Sequence, residues 1–143
     1  MTVLSVEPMK IPQIAEMEDD LASLQKAVGG YIEMVYPFRD SVCVICNEEG
    51  KLNGLPLNRA LRDNDGEVYD VIAGNFLVAG LSEEGLVSLT PDQQKKFEAL
   101  FHSPEQFIRT PTRILPIRVS DEKLAKAAGR EREKVNEHAG RDR

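Results

Sequence analysis

The chain has 143 residues, 41% of them hydrophobic and 29% charged, with a net charge of -6, two Cys and no Trp. That length suits one domain with a real core. The 6% aromatic content excludes a broad base-stacking platform, and no run of about 18 apolar residues offers a membrane span. The charge is uneven: residues 1–108 hold 8 Lys+Arg against 18 Asp+Glu, whereas residues 109–143 hold 10 against 6. An acidic body repels phosphate backbones, so nucleic acid is disfavoured as a partner.

From the N-terminus, TVLSVE (2–7) is rich in β-branched and apolar residues and reads as a strand rather than a signal peptide. With two Cys and no export pattern, a reducing cytoplasm is the expected location. Pro8 and Pro12 flank a second extended segment, IPQIAEM, suited to a sheet edge. EDDLASLQKAVGG then reads as a helix. Asp19 or Asp20 caps it, Leu21, Leu24 and Val28 share a face, and Gly29-Gly30 stops it. Tyr31 to Tyr36 alternates as a strand, and Ser41 to Cys46 is a continuous apolar run expected to be a central strand.

After the Glu49-Gly50 turn, Lys51-Leu52 is expected to pair back as a short strand, and Pro56 to open a short helical turn over NRALRD. Asn64-Asp65-Gly66 signals a turn, and Val68 to Val78 supplies strand around Gly74, with a loop from Gly80 to Gly85. Thr90 as N-cap and Pro91 at the first helical position start a second helix with Phe97, Leu100 and Phe101 on its apolar face. PEQFI is expected to add a helical turn, and PTRILPIRV to run extended with Pro116 barring a central position. The result is an α+β domain over 1–120, with a mixed, mostly antiparallel sheet of about five strands and two main helices. Residues 121–143, rich in Lys, Arg, Glu and Ala, are a charged extension, helical or disordered.

Cys43 and Cys46 form a C-x-x-C, but on a strand an odd spacing sends the two side chains to opposite faces. A shared zinc or redox pair needs them to converge, so both are expected in the core with no metal or cofactor. The acidic run Asp63, Asp65, Glu67 and Asp70 fails the calcium-loop pattern. With Gly66 as the central Gly, Leu61 and Ile72 fall at the first and last ligand positions. Glu48 and Glu49 beside Asn47 are either a proton-transfer or cation site or simply exposed hairpin carboxylates. In the loop Asn53 to Arg59, Asn53 and Asn58 offer hydrogen bonds and Arg59 a guanidinium that can fork onto an anion. The plain alternative is a self-satisfied loop closed by Asx turns. Asn47, Glu48, Glu49, Asn53, Asn58 and Arg59 are therefore the candidate ligand- or partner-binding residues, and no catalytic set is assigned.

The segments LQKAVGGYIE, CNEEGKLNGLPLNRAL and YDVIAGNFLVAG together resemble the domain-of-unknown-function 3846 family of bacteria and phages, over roughly residues 2–108. The resemblance implies an accessory product of a phage or mobile element, with no catalytic residues to carry over. It points to a non-enzymatic protein that binds a host protein or a small anionic ligand, as in counter-defence. The alternative is an enzyme for a small polar or anionic substrate, with Glu48 or Glu49 as acid/base and Arg59 as clamp. Ligand, host target and oligomeric state stay open at this stage.

Leu124 and Val135 are the only large aliphatic side chains of residues 121–143, too few to dock a helix on the core. Truncation after Ser120 is expected to shift the melting temperature by only a few degrees, about 1 kcal/mol at this size. A truncated chain that no longer folds would make the extension part of the domain.

Overall fold

The computed structural model describes residues 1–120, and the extension at 121–143 lies outside them. Five strands run in the order β2 (Gln13–Glu16), β1 (Thr2–Val6), β7 (Phe76–Ser82), β4 (Val42–Asn47), β3 (Ile32–Val35), and β8 (Gly85–Val87) adds a sixth against β7. Every pairing among the described residues is antiparallel. β1 pairs with Phe76–Val78 and β8 takes over from Gly80, so β7 is flanked on that side along its length. Two further hairpins, β5 (Leu57–Arg62) with β6 (Val68–Ala73) and β9 (Glu105–Arg109) with β10 (Ile114–Arg118), stand apart from the main sheet.

The strand alternation builds a three-layer core. Val3, Cys43, Ile45, Leu77 and Ala79 face helix α1 (Leu21–Val28), which contributes Leu24 and Val28. Leu4, Val6, Val44, Cys46, Phe76 and Val78 face the other way, onto Leu61 and Ile72 of the β5–β6 hairpin and Phe97 and Phe101 of α2 (Pro91–Phe101). Cys43 and Cys46 thus sit on opposite faces of β4, as the odd spacing predicts.

Both helices are held by local chemistry read from the sequence. Asp20 caps α1 by accepting from the Ser23 amide at 2.7 Å, and Gly29 closes it in the left-handed region at φ 78°. Thr90 and Gln93 form a reciprocal capping box at the start of α2, with Pro91 at the first turn. One apolar position of each helix differs from expectation. Leu21, at the very start of α1, is 58% exposed, and Leu100 is 49% exposed while Phe101 is buried. Phe97 and Phe101, four residues apart, meet Phe38 and Phe76 respectively, at ring separations of 4.9 and 5.2 Å.

Four local expectations are corrected. NRALRD is strand β5, not a helical turn, because Asp63 accepts from the Asp65 and Glu67 amides and the tight turn folds β6 back onto it. PEQFI is strand β9, tied to β10 by Thr110, whose amide donates to the Arg113 carbonyl at 2.8 Å. Lys51-Leu52 lies in a compact turn whose Asn53 amide donates to Glu49, leaving no partner strand. Gly80–Gly85 carries the end of β7, a short turn and the first residue of β8.

The hairpin β5–β6 is locked to the sheet by a buried polar pair. The register slips between Leu57 and Arg59, a bulge that lets Asn58 and Arg59 both be fully buried. The Asn58 side-chain amide donates to the Val6 and Gly74 carbonyls at 2.9 and 2.8 Å. Arg59 donates from Nε to the Phe101 carbonyl, from Nη1 to the Asn58 side chain and from Nη2 to the Lys10 carbonyl, at 3.0, 2.9 and 2.7 Å. Burial pulls the Arg59 pKa down to about 10, opposed by the charge of Glu105, so the guanidinium stays charged at neutral pH.

Removing this fork leaves buried carbonyls unpaired and opens a void. Arg59→Ala is expected to lower stability by about 3 kcal/mol or more, roughly 10 °C in melting temperature. Arg59→Lys is expected to recover little, since an ammonium cannot reach the separate carbonyls in a planar fork. Thermal melts of the two variants within a few degrees of the parent would contradict the lock.

Candidate functional site

Because β5–β6 and α2 cover the same face of the sheet at different places, a gap remains between the hairpin and the β3–β4 margin. This cleft has a volume of about 600 Å³. Its floor is apolar: Val35 from β3, Cys46 from β4, Leu61 from β5 and Ile72 from β6. Its rim carries Tyr36, Tyr69 and Leu52, which are 59%, 55% and 88% exposed. Charge enters through Glu33, Glu48, Asp70 and Lys51. Strand pairing sets several of these positions, since Glu33 lies directly opposite Cys46 and Asp70 opposite Leu61.

The turn after β4 forms one end of the cleft, and its shape follows from two residues. Asn47 donates its side-chain amide to the Val28 carbonyl at 3.2 Å and accepts from the Glu49 amide at 2.9 Å. Gly50 is required by space: a Cβ there would meet the Ala73 carbonyl oxygen at 2.7 Å. The turn is thereby pressed against β6, and Lys51 reaches Asp70 across the junction. Both of those side chains are more than half exposed, so the ion pair orients the rim rather than stabilising the fold.

The charges that line the cleft sum to negative. Lys51 is neutralised by Asp70, whereas Glu33 and Glu48 make no ion pair with any described residue. At the floor, the Cys46 thiol is pushed up to about 11, first by burial and then by the carboxylates of Glu33 and Asp70, with Lys51 opposing. Such a thiol stays protonated at neutral pH, which makes it a weak nucleophile. Among the described residues no group of three or more His, Cys, Asp or Glu side chains is placed to hold a metal ion.

The six sequence-derived candidates do not converge. Asn47 and Glu48 line the cleft, with the Asn47 amide engaged by backbone. Glu49 and Asn53 are exposed in the turn and do not line it. Asn58 and Arg59 lie in the interior, so Arg59 is not available as an anion clamp. The residues that sequence reasoning passed over are Glu33, Tyr36 and Tyr69, and Asp70 figures there only as part of an acidic run. A weak signal existed in Tyr36 and Tyr69, which sit at strand ends where an aromatic has an apolar body to seat and a hydroxyl to keep wet.

Glu33→Gln removes a negative charge that disfavours the Cys46 thiolate, so the thiol pKa is expected to fall from about 11 toward the ordinary value. The pH dependence of iodoacetamide alkylation in a Cys43→Ala background measures it. An ordinary pKa already present in the parent would show the floor to be hydrated and the field weak.

No curated protein matches the chain, and no solved structure matches it. A family model does match, over residues 1–102, well beyond half of the chain and spanning the sheet, both helices and every residue that lines the cleft. The chain belongs to the family described as Domain of unknown function (DUF3846).

Proposed function

We propose that this protein is a non-enzymatic binding protein that captures its ligand or partner in the cleft between the β3–β4 margin and the β5–β6 hairpin. The observation that carries the reading is the cleft itself. An apolar floor, a rim with two exposed tyrosines and a few convergent charges, at about 600 Å³, is the usual composition and scale of a ligand site. A binding role is favoured over catalysis by the state of the polar groups. The Cys46 thiol is held protonated and the Asn47 amide is tied to backbone. The enzyme alternative also loses support, because Arg59 lies in the interior while Glu48 lines the cleft and Glu49 lies in the exposed turn. The resemblance adds the setting to this proposal: an accessory product of a phage or mobile element acting in the cytoplasm on a host component.

Tyr36 and Tyr69 give a clean test because both are more than half exposed. Tyr36→Ala with Tyr69→Ala is expected to leave the melting temperature within a few degrees, while removing the rim contacts that dominate binding energy at such sites. Native mass spectrometry of the parent, purified from cells that carry the element, is expected to show a retained mass that the double variant lacks. Equal retention by a folded double variant would place the binding site elsewhere.

A further inference from the structure

The chemistry of the cleft also selects among ligands, and the following rests on reading the cleft as the binding site. We infer that it takes a small organic cation, an amine or guanidine attached to an apolar or aromatic body, and rejects anions of the same size. Three independent features of the cleft agree on this class. First, the charge is unbalanced: Lys51 is occupied by Asp70, whereas Glu33 and Glu48 make no ion pair among the described residues. Charge complementarity therefore asks for a positive group. Second, Tyr36 and Tyr69 line the mouth with more than half of each residue exposed, the Tyr36 hydroxyl reaching the Met34 sulfur at 4.0 Å, and aromatic faces attract cations through their quadrupoles. Third, Val35, Leu61 and Ile72 make the floor apolar, so a bare hydrated ion gains nothing there, whereas a hydrocarbon body is desolvated favourably.

A volume of about 600 Å³ fits a small molecule and not an extended protein surface. The sign is opposite to that expected from Arg59, because the acidic balance of the body reaches into the cleft while the one guanidinium that promised an anion site is spent on carbonyls. At the Cys46 thiol on the floor, Glu33 and Asp70 add to the larger effect of burial, so both carboxylates act on groups inside the cleft.

The test uses the full-length protein, isotope-labelled, with benzyltrimethylammonium and benzenesulfonate as matched probes and amide shifts as the readout. Benzyltrimethylammonium is expected to move the amides of residues 33–36, 46–52 and 69–73, and benzenesulfonate to leave them in place. Glu33→Gln with Glu48→Gln, both surface carboxylates, is expected to weaken the cation about tenfold and to flatten its salt dependence. Tyr36→Leu with Tyr69→Leu keeps the apolar bulk and is expected to weaken it several-fold. Unchanged cation affinity in both folded variants overturns the inference. Binding of benzenesulfonate in the cleft overturns it as well, while leaving the cleft a binding site. Retention of a protein by the parent but not by the tyrosine-to-alanine variant has the same consequence. Failure of both probes to move any cleft amide removes the inference and the binding reading together.

Discussion

The architecture depends on a buried charge that main-chain carbonyls hold in place of a contacting carboxylate. Arg59 is inaccessible to water, and its guanidinium is satisfied by main-chain carbonyls from three parts of the chain, with the Asn58 side chain beside it. Desolvating a guanidinium is costly, and only a full set of well-placed acceptors offsets it. Those acceptors exist only when the end of α2, the turn after β1 and the bulged start of β5 are all in place. The arrangement is all-or-none. A sheet lacking the hairpin, or a hairpin shifted by one residue, leaves the charge stranded, so the buried pair specifies one docking of β5–β6 as much as it stabilises it.

That docking determines where the cleft lies. Leu61 and Ile72 of the hairpin and Phe97 and Phe101 of α2 share one cluster with Val44, Cys46, Phe76 and Val78, in which the Phe101 ring meets Phe76 edge-on. The hairpin stops short of the β3 margin, and the turn at the buried Gly50 and exposed Lys51 borders the remaining space without filling it. A second ion pair, Arg62 to Glu105 with both carboxylate oxygens engaged at 3.0 Å, ties the far side of β5 to β9. With both flanks of β5 held, the cleft wall formed by β6 is a fixed surface, which suits a site formed before its ligand arrives.

The helices and the main sheet were legible because local and global preferences agree there. Caps, stop glycines and the apolar run of β4 each point to the element that forms. Legibility failed where tertiary contacts decide. NRALRD carries helix formers behind a proline, and nothing local reveals that Asn58 and Arg59 will be drawn inward by distant carbonyls. Leu100 and Phe101 are equally apolar, and only the position of Phe38 and Phe76 selects the second. The site was legible at Asn47 and Glu48, which adjoin a recognisable strand and turn. It was hidden at Glu33, Tyr69 and Asp70, because the cleft joins strands that are far apart in sequence and never pair with each other. Arg59 misled for a definite reason: in an acidic body one of the few cations looks like a ligand site, whereas burial turned it to the backbone.

The connectivity has one more consequence. β4 and β7 are neighbours in the sheet, yet the chain leaves β4, builds the Gly50 turn and the whole β5–β6 hairpin, and only then returns to β7. One wall of the cleft therefore belongs to the sheet that both helices pack on, and the opposite wall belongs to an excursion between two adjacent strands. Variation in the excursion, at Tyr69 or Asp70 for instance, can remodel what the protein recognises without disturbing a single pairing of the main sheet. The lock at Asn58 and Arg59 sets the boundary of that freedom, separating the part of the hairpin that natural variation can rewrite from the part that holds it in place.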